Sequence, residues 1–75
     1  MEAIGWKKRL QYAKNNSEYI KIIFQYPNKD KAIIRKGIVI DIFDDCFSFK
    51  DRFDGLMTFS YNYLEEVSKW EEKYD

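Results

Sequence analysis

With 75 residues the chain has room for a single domain, 1–75, and a 19% aromatic content supplies the large side chains that a small core needs. One cysteine and no histidine exclude an intrachain disulfide, a cysteine zinc site and histidine-based catalysis. A formal net charge of +0 hides a division: residues 1–37 carry nine Lys/Arg against three Asp/Glu, and residues 38–75 carry four against ten.

The first predicted element is a helix over residues 2–15. Ala3, Trp6, Leu10 and Ala13 recur at the spacing of one helical face, while Lys7, Lys8, Arg9 and Lys14 fall mainly on the rest of the cylinder. Asn15-Asn16-Ser17 supplies the stop, because Asn accepts the left-handed capping conformation. A strand over 19–26 follows, with Ile20, Ile22, Phe24 and Tyr26 alternating with Lys21 and Gln25. Pro27, with no N–H to donate, ends it.

A second strand, over 32–43, has Gly37 in its middle, where a bulge or sharp bend is expected. Residues 38–49 organise the rest. Side chains alternate faces along a strand; Ile38, Ile40 and Ile42 are even, and Phe47 and Phe49 are odd. A two-residue turn at Asp44-Asp45 pairs Ile42 with Phe47 and Ile40 with Phe49. All five then share one face, and a one-residue slip scatters them. The next strands, over 46–52 and 56–61, are joined by a three-residue turn, Phe53-Asp54-Gly55, with Gly55 left-handed. That turn pairs Phe49 with Phe59 and Phe47 with Tyr61.

Beyond Asn62 the favoured reading is a helix. Asn62 and Glu65 have capping-box spacing, and Tyr63, Leu64, Val67, Trp70 and Tyr74 share a stripe. The alternative is a fifth strand over 66–70 that closes a barrel. The fold class is α+β: an N-terminal helix, a four-stranded strongly bent antiparallel meander, and a C-terminal helix or short fifth strand.

The second sheet face carries Tyr19, Ile23, Ile33, Val39 and Phe43 among Lys21, Arg35 and Asp41, which is too apolar for a plainly solvated face. A covering helix, a domain curled on itself or another chain would each account for it; for the last, Tyr19, Ile23, Val39 and Phe43 are the candidate contacts, from a protein partner or a second copy of the chain. Lys7, Lys8, Arg9, Lys21, Arg35 and Lys36 are the candidate contacts for nucleic acid, with Tyr19 or Tyr26 as a stacking ring. Asp44, Asp45, Asp51 and Asp54 read as turn formers, not cation ligands. Cys46 reads as unreactive, since the negative charge beside it disfavours the thiolate. No catalytic residue, cofactor or metal is expected. No apolar run approaches the roughly 20 residues of a membrane span. The N-terminus does not read as a signal peptide, and a cytoplasmic location is expected.

Leu10 and Ala13 at a helix end are followed by a strand ending in Tyr26, a long strand containing Gly37, and Phe59 spaced five residues before Leu64. This order, over about residues 10–67, resembles the Sm-like, SH3-like core of bacterial WYL domains. The resemblance implies a small barrel in a transcriptional regulator or defence system, binding nucleic acid or a ligand. The family's Trp-Tyr-Leu signature would fall at 46–49, where Cys-Phe-Ser-Phe stands, and its last-strand arginines have no counterpart at 60–63. Two functions are expected from these residues. One is a small non-catalytic regulatory module acting through protein–protein contacts, with a homodimer among the candidate assemblies. The other is a single-stranded nucleic-acid-binding small β-barrel linked to transcription or defence.

Overall fold

A computed structural model describes residues 3–70. Helix α1 (Ala3–Asn15) is followed by β1 (Ile20–Phe24), β2 (Ile33–Ile42), β3 (Cys46–Asp51), β4 (Gly55–Ser60) and β5 (Leu64–Lys69). The strands form one antiparallel sheet in the order β4-β3-β2-β1-β5, so the α+β class holds.

Helix α1 closes with both backbone bonds of a Schellman turn: Ser17 N–H donates to Lys14 C=O at 3.2 Å and Glu18 N–H to Ala13 C=O at 2.9 Å. The left-handed residue is Ser17, with φ 51°, while the Asn16 side chain donates to Tyr12 C=O at 2.8 Å. Leu10 and Ala13 are fully buried, and Trp6 packs against the same core. Trp6, Leu10 and Ala13 of the apolar stripe thus face the sheet, and removing them from water favours docking.

The inner face of the sheet carries Ile20, Ile22 and Phe24 of β1 with Phe47 and Phe49 of β3, all fully buried. Phe24 lies 4.7 Å from Phe59 of β4, centroid to centroid, although β2 and β3 separate their strands. The sheet is therefore strongly curled about its aromatic centre.

Three expectations need correction. First, Ile42 does pair with Phe47, but Phe49 lies opposite Val39, not Ile40. A bulge between Val39 and Asp41 adds a residue to β2, which reverses the parity upstream of it. Val39 is consequently 6% exposed and in the core, whereas Ile40 is 40% exposed. Second, the β3–β4 turn does contain three residues and Gly55 does have a left-handed φ of 78°, but the turn is Arg52-Phe53-Asp54. Phe49 therefore meets Met57 and Phe47 meets Phe59. The shift is two residues, so the faces survive it. Third, the chain after Asn62 is a strand, not a helix. Leu64 and Val67 pair with Phe24 and Ile22, giving the second edge of β1 a backbone partner, a gain that outweighs local helix propensity. Tyr74 lies outside the described residues.

Gly37 marks a close approach, not the bulge. A Cβ there would run into the Lys50 carbonyl oxygen, with the Lys50 carbonyl carbon at 2.9 Å and the Phe49 ring at 3.1 Å.

Candidate functional site on the outer face

The division of charge along the chain largely disappears in space. Lys7 pairs with Asp44 at 3.4 Å and Lys21 with Glu66 at 3.7 Å. Arg35 pairs with Asp51 at 3.9 Å and with Asp54 at closer range. Each pair joins the basic first half to the acidic second half. Arg9 instead pairs within its own half, with Glu18 at 3.1 Å, and lies over the Tyr12 ring. The six nucleic-acid candidates therefore do not converge: Lys7, Lys8 and Arg9 are on α1, Arg35 belongs to the inner-face row opposite Ile22, and only Lys21 and Lys36 share the outer face.

The protein-contact candidates divide: Tyr19 and Ile23 share the outer face with Lys21, and Val39 does not. Val39 is in the core. Ile23 lies mid-sheet between Ile34 and Glu66, Tyr19 lies at the start of β1, and Phe43 is exposed beside the Asp44-Asp45 turn.

Register builds a wider site on the outer face, which takes in Tyr19 and Ile23. Lys21 and Lys36 are direct cross-strand partners, and Arg52 N–H donates to Lys36 C=O at 2.9 Å. Arg52, Lys36 and Lys21 thus form a transverse row of three cations. Like charges directly opposite each other are unfavourable, and each cation has a compensating neighbour. Lys36 Nζ lies 3.9 Å from the Trp70 ring centroid, Arg52 lies over Phe53 at 4.6 Å, and Lys21 has Glu66.

Rows rich in apolar side chains flank the cations. On one side Leu56, Lys50 and Ile38 are successive cross-strand partners. Tyr19 continues this row one step beyond the Ile20–Gly37 pair, and its C=O accepts from Trp70 N–H at 2.9 Å. On the other side Ile34, 54% exposed, lies beside Ile23, and Phe53 is 81% exposed. Ile34, Arg35, Lys36, Asp51, Arg52 and Phe53 line a cleft of about 250 Å³ at this end of the sheet.

The floor of that cleft is held by Asp51, which is buried. One carboxylate oxygen accepts from the N–H groups of both Phe53 and Asp54 at 2.9 Å. Burial pushes the Asp51 carboxyl up, but those two N–H bonds, the Arg35 charge and the Lys36 N–H outweigh it and hold it below the usual carboxylate value. Two buried nitrogens nearby, Arg35 Nε and Trp70 Nε1, have no hydrogen-bond partner among the described residues. At the other end of β3, the Tyr61 hydroxyl lies 2.8 Å from Phe43 C=O and 2.9 Å from Cys46 C=O, and donates to them. Burial raises both the Tyr61 phenol and the Cys46 thiol, and Asp45 adds to the Cys46 shift, in keeping with an unreactive cysteine.

Charge counting along the sequence misses Lys50, Arg52, Phe53 and Trp70. The signal for them is register: once Gly37 faces Asp51, Arg52 must fall beside Lys36. Among the described residues no helix is long and apolar enough to cross a membrane. No group of three or more His, Cys, Asp or Glu among them is placed to hold a metal ion. No protein family, curated protein or solved structure matches this chain.

Proposed function

We propose that the protein is a small non-catalytic binding module that acts through protein–protein contacts on the outer face of its sheet. The observation that carries this reading is the Arg52–Lys36–Lys21 row set between exposed apolar side chains, among them Leu56, Ile34 and Phe53. A surface of that kind suits a protein segment combining acidic with apolar side chains: the cations attract and orient it, and the apolar rows supply area. The strand order behind an N-terminal helix supports an Sm-like, SH3-like core, although a fold of this kind does not by itself carry a function.

The second reading is single-stranded nucleic-acid binding linked to transcription or defence. It is favoured by the same cations beside Tyr19, Trp70 and Phe53. Against it, Trp70 and Phe53 each already have a cation over the ring, which occupies a surface that base stacking needs. A displayed random-peptide library and a fluorescent mixed-sequence oligonucleotide separate the readings. The expected result is enrichment of peptides combining Asp or Glu with apolar residues, lost in Lys36→Glu, and no oligonucleotide binding. No enrichment overturns the first reading. Salt-sensitive oligonucleotide binding that Lys36→Glu abolishes establishes the second.

A further inference from the structure

Among the described residues β4 and β5 are the two edges of the sheet, and they are guarded differently. Strand β5 carries Glu65, Glu66 and Lys69, whereas β4 contains neither a charge nor a proline. Charges and prolines are the usual protection of an edge strand against pairing with another chain, so β5 has such protection and β4 does not.

The direction of the β4 backbone groups follows from the first hairpin. Phe43 N–H donates to Cys46 C=O at 2.9 Å, so Cys46 is turned toward β2. Backbone groups alternate along a strand, so Phe47 and Phe49 are turned toward β4, where Phe59 and Met57 meet them. The N–H and C=O groups of Leu56, Thr58 and Ser60 therefore point away from the sheet. All three residues are exposed, Leu56 at 69%.

We propose that β4 is the docking edge for a second copy of this chain, paired antiparallel about a two-fold axis at Thr58. This deepens, and rests on, the protein-contact reading by naming an edge and a partner. With the axis at Thr58, Leu56 faces Ser60 of the second copy and Thr58 faces Thr58. Every outward N–H and C=O of these three residues then finds a partner in both copies. A register centred on Met57 puts Leu56 opposite Thr58 and leaves Ser60 beside the turn.

The side chains match row by row in the same register. On the outer face, Ser48 and Thr58 continue into Thr58 and Ser48 of the second copy, a row made only of hydroxyls. On the inner face, Phe49 and Met57 continue into Phe59 and Phe47 of the second copy. Met57 and Phe59 are only half-buried in the single chain, so pairing would cover them. A thioether beside an aromatic edge is itself favourable. A two-fold interface is self-complementary and closes at two copies, whereas β4 pairing with β5 of another chain would be head-to-tail and would continue into rings or filaments.

Sedimentation velocity on the full chain over a concentration series tests this. The expected result is a monomer–dimer equilibrium with no larger species. Thr58 is exposed and its N–H is not used in the sheet, so Thr58→Lys and Thr58→Glu should both fold, with unchanged circular dichroism. Each alone should remain monomeric at concentrations where the parent is mostly dimer, because like charges meet across the axis. Mixing the two should restore a dimer containing one of each. A monomer at every concentration, a dimer indifferent to both substitutions, or growth into larger assemblies would overturn the proposal. Peptide enrichment retained by monomeric Thr58→Lys separates the outcomes: the outer-face reading then stands whether or not the dimer does.

Discussion

Both turns that flank β3 are built around aspartate, and they use it in opposite ways. In the β2–β3 turn, Asp44 is fully solvated and its contact with Lys7 is a surface ion pair. That turn is held by a distant residue, through the Tyr61 hydroxyl at the carbonyls of Phe43 and Cys46. In the β3–β4 turn, Asp51 is buried, and its carboxylate ties down the N–H groups of the turn it precedes. One residue type thus serves as a tolerant loop former at one end of a strand and as a buried acceptor at the other. The difference lies in whether the carboxylate is buried and accepts the N–H groups of its own turn.

The largest way to break this contrast is at the floor of the buried turn. Gly37→Ala places a methyl against the Lys50 carbonyl, backbone that cannot swing aside, and should cost on the order of 3 kcal/mol in urea unfolding. Asp51→Ala should come next, at about 2–3 kcal/mol, because it strands the Phe53 and Asp54 N–H groups and leaves Arg35 with Asp54 alone. Tyr61→Phe removes one donor shared by two carbonyls and should cost about 1 kcal/mol by the same measurement. Asp44→Ala should leave the unfolding midpoint unchanged, since its carboxylate is fully in water.

The turns should also fail at opposite ends of the pH scale. The Asp51 carboxyl is lowered in the folded chain. Its contribution is therefore complete above the unfolded Asp value of about 3.9 and is lost as pH falls through the folded value. The Tyr61 phenol is raised. Its contribution is complete below the unfolded Tyr value of about 10 and is lost as pH rises through the folded value. Melting temperature against pH should show both. The gap between parent and Asp51→Asn should narrow in acid, and the gap between parent and Tyr61→Phe should narrow in alkali. A gap that stays constant in either direction would remove that residue from the account.

Odd–even arithmetic reads β1 correctly, because Ile20, Ile22 and Phe24 run without interruption. It also keeps the faces of β3 and β4 right despite a two-residue error in register, since an even shift preserves parity. It fails in β2, where the bulge after Val39 has no marker residue; Gly37, the visible marker, serves a close approach elsewhere in the strand. The C-terminal strand is misread because Leu64–Lys69 has an acceptable helical pattern, while the open edge of β1 that recruits it is a feature of the folded sheet.

Functional residues are less legible for a related reason. A tally of cations singles out Lys7, Arg9, Lys21 and Arg35, yet each has a carboxylate waiting in the fold, and only Lys21 of these four lies on the outer face. Lys50 and Arg52 sit in the acidic half and attract no notice until register sets them beside Ile38 and Lys36. Local charge measures supply, and only pairing shows which charges are already matched.

Backbone amide and indole resonances, followed as a selected acidic–apolar peptide is titrated into the full-length protein, test the outer-face account most directly. The account predicts shifts at Lys21, Ile34, Lys36, Lys50 and Arg52 and at the Trp70 indole, with Lys7, Lys8 and Arg9 unmoved. Shifts centred on α1, with the Trp70 indole unchanged, would contradict it.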